Sequence, residues 1–205
     1  MKTIVLRRLV LVAGMACLLA ACGGGGSSED AGAPVTAMGT LRLALTDAPA
    51  CGFDKVFVTV EKVRVHQSGS AGEGEGGWSE VILNPAKRLD LLSLRNGVLE
   101  ELGQKSLPAG KYTQLRLVLA ENGSTAPFAN AVIPTGSTGE VALTTPSADQ
   151  SGLKLKTNID VIANQTADFV IDFDACKSIV TTGGGNSNAG KYILKPVLTV
   201  MPRTS

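Results

Sequence analysis

Two pairs of aspartates, each beside a cysteine, are the side chains in this sequence with the clearest potential for binding chemistry. All four lie within five residues of Cys51 or Cys176, at Asp47, Asp54, Asp172 and Asp174. Carboxylate oxygens that converge from loops are the ligands that calcium prefers. A disulfide between the two cysteines would bring the pairs together, so the pattern supports the hypothesis of a calcium site.

The same aspartates also have a purely structural explanation. Asp47 and Asp54 can cap turns through their own backbone, while Asp172 and Asp174 can face solvent or pair with lysines such as Lys177. The chain lacks the alternating Asp-x-Asp-x-Asp-Gly pattern of a calcium-binding loop. We therefore expect no resident cofactor, and calcium stays an alternative ligand.

Residues that could support catalysis are few. His66 is the only histidine, and no nucleophile motif lies beside it. Ser151 and Lys154 have the Ser-x-x-Lys spacing of penicillin-recognising enzymes, but they open a β-type segment, whereas in those enzymes the pair begins a helix. We predict no catalytic residue, and we expect the protein not to be an enzyme.

The N-terminus has the features of a bacterial signal peptide. Residues 1–21 contain a basic start and an apolar run, Leu9–Leu19, that is shorter than the roughly 20 residues of a membrane-spanning helix. The run ends in Leu-Ala-Ala directly before Cys22, which matches the lipobox of bacterial lipoproteins. In such proteins the signal is removed before the cysteine, which then receives diacylglycerol and a further acyl chain such as palmitate. We predict that Cys22 is lipidated; the alternative is an ordinary cleavage site.

Residues 22–38 are predicted to form a lipidated, flexible Gly- and Ser-rich tether, because they contain too little apolar surface to offset the entropy of ordering. Gly23 follows the lipidated cysteine where an aspartate would favour the inner membrane. By resemblance to the sorting of enterobacterial lipoproteins, this indicates the outer membrane, on its periplasmic or its outer face. The membrane is thus the first predicted partner.

The remaining thiols are expected to pair. Cys17 leaves with the signal and Cys22 takes lipid, so Cys51 and Cys176 remain in an oxidising compartment. A disulfide between them would stabilise the fold by roughly 4–5 kcal/mol in the chain-entropy model. Two separate buried thiols are the alternative.

Charge excludes nucleic acid as a partner. The whole chain has 19 Lys and Arg against 18 Asp and Glu. Removal of the signal peptide takes away three of the basic residues and none of the acidic ones. The mature protein is then weakly acidic and has no electrostatic footprint for a polyanion.

The rest of the chain has the pattern of an all-β protein. Leu41, Leu43 and Leu45 alternate with polar or small residues. Val56, Val58 and Val60 do the same, and Val63 and Val65 continue that strand after a shift of register. Further predicted strands are Trp78–Leu83, Arg88–Leu94, Thr113–Ala120, Val141–Thr145, Leu153–Val161, Phe169–Phe173 and Lys191–Val200. Eight to ten short strands predict one antiparallel β-sandwich, immunoglobulin-like or prealbumin-like, over residues 39–202, with 203–205 as a tail.

Several short segments resemble a bacterial lipoprotein family known as domain of unknown function 4382. In the order of that family they are Leu45-Thr46-Asp47-Ala48-Pro49, Val56-Phe57-Val58-Thr59-Val60, Leu89-Asp90-Leu91-Leu92, Leu107-Pro108-Ala109-Gly110-Lys111-Tyr112, Ser151-Gly152-Leu153-Lys154 and Tyr192-Ile193-Leu194-Lys195-Pro196-Val197. The resemblance covers about Gly39 to Pro202. It implies a secreted or envelope-anchored β domain and transfers no catalytic residues.

These observations predict a lipid-anchored envelope protein that acts as an interaction or structural module. Its expected partners are an envelope protein or a glycan. The alternative is a ligand-binding module that uses the aspartates near the Cys51–Cys176 bridge to bind calcium or a glycan.

Overall fold

The fold is known from a computed structural model, which describes residues 36–47, 52–146, 148, 150–182 and 191–203. Thr36–Ser205 forms one compact unit. The first strands are β1 (Met38–Asp47), β2 (Phe53–His66), β3 (Ser79–Asp90), β4 (Glu100–Pro108), β5 (Gly110–Leu119) and β6 (Ala131–Pro134). They are followed by β7 (Val141–Thr144), β8 (Leu153–Val161), β9 (Thr166–Phe173), β10 (Ile179–Thr182), β11 (Lys191–Leu194) and β12 (Leu198–Pro202). A 3-10 helix, η1, covers Leu91–Leu94, and one short helix, α1, covers Ala175–Ser178.

The strands form two sheets that pack together. The first has four strands in the order β12-β9-β1-β4, and the second has the order β10-β11-β7-β6-β2-β5-β8, with β3 also paired to β2. This confirms the predicted all-β sandwich. The sheets are mixed, because β1 pairs with β9 and β11 with β7 in parallel, whereas the sequence predicted an antiparallel arrangement. Parallel partners lie far apart in the chain, so local alternation does not reveal them.

The core explains why the alternating segments are strands. Leu41, Leu43 and Leu45 are fully buried, while Arg42 on the opposite face of β1 is exposed. In β2 the five alternating valines are all buried, although a register shift separates Val60 from Lys62. This irregularity in the pairing confirms the predicted shift, because it returns Val63 and Val65 to the core side.

The segment from Trp78 to Leu94 differs from the sequence prediction. Trp78–Leu83 and Arg88–Leu94 were expected as separate strands, but Ser79–Asp90 is one strand and Leu91–Leu94 is the 3-10 helix. Asp90 caps that helix by accepting a hydrogen bond from the backbone N–H of Leu92. The leucines of η1 point into the core, so their apolar pattern is satisfied without a strand.

Candidate functional site

Asp47 lies at the end of β1 and is a buried structural residue. Its side chain is 5% exposed, and Oδ1 accepts a hydrogen bond of 2.9 Å from the backbone N–H of Ala175. Ala175 is the first residue of α1 and is itself buried. The carboxylate therefore joins the end of one strand to the start of the short helix.

Asp174 also serves α1. It is the N-cap residue, and Oδ1 accepts a 3.0 Å bond from the backbone N–H of Lys177. The Lys177 ammonium donates to Oδ2 at 2.6 Å, and this side-chain hydrogen bond holds the pKa of Asp174 below its ordinary value. Pairing with a lysine is the structural alternative that the sequence suggested for this residue.

The four aspartates do not form a metal-binding group. Asp172 lies opposite Thr46 in the β1–β9 pair, and Asp54 is exposed near the start of β2. Within the part of the chain that the structure describes, no group of three or more His, Cys, Asp and Glu side chains could hold a metal ion. Among the described residues the predicted convergence of these carboxylates is therefore not observed, and Asp47 and Asp174 are used to order α1.

The cysteine predictions fall largely outside the described residues. Cys176 lies in α1 and is partly buried. Cys22 and Cys51 are not among the residues that the structure describes, so the lipidation and the Cys51–Cys176 bridge stay predictions.

At the hairpin between β2 and β3, one tryptophan contacts a histidine and two arginines, and these four side chains are called the loop cluster: Trp78, His66, Arg64 and Arg116. His66 is 8% exposed, and its Nδ1 accepts a 2.8 Å hydrogen bond from the backbone N–H of Ser68. Its Nε2 lies 2.9 Å from the carbonyl oxygen of Gly76 and can donate to it. Both ring nitrogens are thus held by the backbone of the hairpin loop.

Gly77 is required by this packing. Its φ is +92°, and a Cβ there would lie 2.9 Å from Nε2 of His66. Any other residue would combine left-handed strain with a contact on the imidazole. The Gly-rich composition of Gly69–Gly77 allows the loop to approach the histidine.

Trp78 joins the loop to the sheet. Its ring centroid is 4.6 Å from the Cζ of Arg64 on β2 and 4.9 Å from that of Arg116 on β5. The indole Nε1 donates to the carbonyl of Gly72 at 2.9 Å. Because arginines at directly opposed positions repel, the indole that contacts both guanidinium groups provides a compensating cation–π attraction.

Arg116 is 6% exposed, and its guanidinium is held by backbone carbonyls. It donates to Ala71 and to Ser151, each at 3.0 Å. Arg116 alternates with the buried Leu115 and Leu117, so it lies on the outer face of β5, where the β2–β3 loop and Ser151 cover it. The backbone carbonyl of Ser151 accepts from Arg116, and Lys154 is exposed on β8.

A cavity of about 340 Å³ lies beside the loop cluster, lined by His66, Gln67, Gly77, Ser79, Pro108 and Tyr112. Tyr112 is 2% exposed and donates from its hydroxyl to the Pro108 carbonyl at 3.0 Å. This hydrogen bond links the Pro108-Ala109-Gly110 turn to β5, the strand that follows it. It holds the cavity wall in place where this turn meets the β2–β3 loop.

Tyr112→Phe should lower the free energy of unfolding at neutral pH by about 1 kcal/mol, because the Pro108 carbonyl loses its donor. Burial raises the pKa of Tyr112 above its ordinary value. As pH rises, the Tyr112 hydroxyl of the unfolded chain therefore loses its proton before that of the folded protein does. The contribution of Tyr112 to the free energy of unfolding is thus complete below about pH 10 and is lost as pH rises through the folded pKa. Urea unfolding should show the gap between wild type and variant shrinking above about pH 10. A constant gap would contradict the titration of Tyr112.

Sequence reasoning missed a buried amide network. Asn130 is fully buried; its Oδ1 accepts from the backbone N–H of Thr59 at 3.1 Å, and its Nδ2 donates to the Ala120 carbonyl at 2.7 Å. Asn122 Oδ1 accepts from the Asn130 backbone N–H at 2.6 Å. Asparagine in a loop is common, so neither position carried a signal in the sequence. A cavity of about 420 Å³ adjoins this network, with Glu121, Asn122, Thr144 and Gln150 in its wall.

The comparisons with known proteins identify one relationship. The family model described as "Domain of unknown function (DUF4382)" matches residues 38–196. No curated protein and no solved structure matches the chain significantly. Among the residues that the structure describes, no helix has the length and apolar character needed to cross a bilayer.

Proposed function

Since the chain belongs to the DUF4382 family, whose matched residues span most of the β domain, we propose that it is a lipid-anchored module of the bacterial cell envelope. In this proposal the mature protein begins at acylated Cys22. The β-sandwich is a non-enzymatic interaction or structural module that binds an envelope protein or a glycan.

The order of the N-terminal features is the observation that carries the proposal. A basic start, a short apolar run, Leu-Ala-Ala and Cys22 follow one another, and the domain begins soon afterwards at Met38. Two or three acyl chains on one cysteine anchor a protein stably, whereas one chain binds only marginally. Gly23 after the lipidated residue supports the outer membrane as the location.

The interaction role is supported by how the reactive side chains are used. Both nitrogens of His66 contact loop backbone, and Arg116 donates to two backbone carbonyls. Asp47 and Asp174 order α1. Groups committed to stability in this way favour a rigid binding module over an acid–base centre. The same engagement of Asp47 and Asp174 disfavours a calcium site at the aspartates.

Replacing Cys22 with serine tests the anchor. The wild type should incorporate labelled palmitate and sediment with the outer membrane, and its mature mass should begin at residue 22 with acyl additions. The Cys22→Ser variant should lose essentially all of the label, because serine has no thiol to receive diacylglycerol. Cys17→Ser is the matched control, since Cys17 leaves with the signal peptide and label should be retained.

Undiminished palmitate in the Cys22→Ser variant would overturn the anchor.

The interaction role has a separate test, in which exposed residues of the β2–β3 loop carry a photo-crosslinker in intact cells. Discrete adducts with one envelope protein or glycan are expected at this loop, and adducts no stronger than those at exposed residues elsewhere on the domain would overturn a binding role for it.

A further inference from the structure

We propose that the end of the domain formed by Met38 and Ile162 lies against the surface of the bilayer that holds the acyl chains. This inference rests on the proposed lipid anchor and adds to it an orientation of the folded domain. Met38 and Ile162 belong neither to the loop cluster nor to the four aspartates.

The N-terminal segment is held firmly at this end. The carbonyl of Ala37 accepts a 2.7 Å bond from the backbone N–H of Ala109, in the turn between β4 and β5. The carbonyl of Met38 accepts a 2.8 Å bond from the N–H of Asn164, in the turn between β8 and β9. The chain that leads back towards Cys22 therefore leaves the domain between these two turns.

Two large apolar side chains are exposed beside that point. Met38 is 40% exposed and Ile162 is 53% exposed. The backbone segments that carry them are close in space, since a Cβ on Gly39 would lie only 2.3 Å from the carbonyl oxygen of Ile162. Single exposed hydrophobic residues are ordinary, but a pair beside the start of a lipid tether is placed to enter the interfacial region of a membrane.

The length of the connecting chain keeps this end near the membrane. Residues 23–35 separate Cys22 from Thr36, and at roughly 3.3–3.6 Å per residue the link cannot exceed about 50 Å. A random coil of that composition averages only about 20 Å. β1 carries the chain from Met38 to Thr46, at the other end of the sheet, over about 26 Å. This is more than the average length of the tether, so the Met38 end is on average the nearer of the two to the anchor.

The charges around the end permit this contact. Lys105 on β4 and Lys111 on β5 are exposed on strands that reach it. Asp160 is the acidic partner of Lys111, at 3.8 Å, and both side chains are more than half exposed. Lysines with long aliphatic stems can lie along an interface while their ammonium groups meet lipid phosphates.

Tryptophan fluorescence in vesicles tests the orientation. The acylated full-length mature protein is reconstituted into phosphatidylethanolamine–phosphatidylglycerol vesicles with and without brominated acyl chains. The Ile162→Trp variant reports on the proposed contact, and Met38→Trp is a second reporter on the same end. Val98→Trp is the matched control, because Val98 is 50% exposed and its carbonyl accepts from Thr46 at the opposite end of β1.

After subtraction of the wild-type signal from Trp78, brominated lipid should quench Ile162→Trp at least about twofold more than Val98→Trp, since bromine quenches only at contact with the lipid interface. Equal quenching of the two variants, or none in either reporter at the Met38 end, would overturn the orientation while leaving the anchor intact. A mature mass without acyl chains would overturn both proposals, so the two failures are distinguishable.

Discussion

Phe173→Ala is expected to lower the free energy of unfolding by about 3–5 kcal/mol, a large share of the stability of an ordinary domain. Phe173 is fully buried on β9, which lies between β1 and β12. It pairs with Asp47 on one side and Leu198 on the other. Removal of the ring leaves a cavity that strands held on both sides cannot close. Equilibrium unfolding in urea measures the loss directly.

Phe57→Ala is the matched control for that variant. Phe57 is partly exposed on β2, and its ring faces solvent under the guanidinium of Arg88, whose Cζ is 3.8 Å from the ring centroid. Its removal should cost about 1 kcal/mol, mainly the cation–π contact. Equal losses in the two variants would show that Phe173 does not occupy the core position described above.

Asp47→Ala should be the next most damaging substitution, with an expected loss of about 2–3 kcal/mol. The backbone N–H of Ala175, which is 1% exposed, would lose its carboxylate acceptor. A buried N–H donor without an acceptor destabilises the folded state by its full desolvation free energy. The variant would also lose the hydrogen bond that attaches α1 to β1. Thermal and urea unfolding should both report the change.

Two further variants separate this role from metal binding. Asp47→Asn keeps an acceptor oxygen and should recover part of the stability, whereas the exposed Asp54→Ala should stay within about 0.5 kcal/mol of wild type. Calcium should not change the melting temperature of the wild type. A rise in melting temperature with calcium that Asp47→Ala abolishes would restore the aspartates as a binding site.

Much of the fold could be predicted because alternation reports burial directly. The five valines of β2 were placed in the core together with their change of register, and the structure shows all five buried on either side of a shifted pairing. Lys191–Val200 was predicted as one strand, but it divides into β11 and β12 around Pro196. Proline has no N–H to donate to a ladder, so the break has a local cause that the apolar pattern concealed.

The loop cluster shows where such reasoning stops. Trp78 was expected to begin a strand, and Arg64 and Arg116 were the polar members of alternating strands. Their stacking depends on the pairing of β2 with β5 and on the return of the loop over that face. Because these residues are far apart in the chain, no spacing could indicate that one indole would contact two arginines.

By itself, the amino-acid sequence led to the predicted location in the cell envelope, to the all-β character and to the alternating residues that face the core. Each of these depends on composition or on a period of two residues, which are local properties of the chain. Only the tertiary structure decided which strands pair in parallel and that Asp47 and Asp174 order α1. It also placed Met38 beside Ile162 at the end where the chain leaves towards Cys22. These outcomes depend on contacts between distant segments, whose free energies are set by geometry that no local pattern contains.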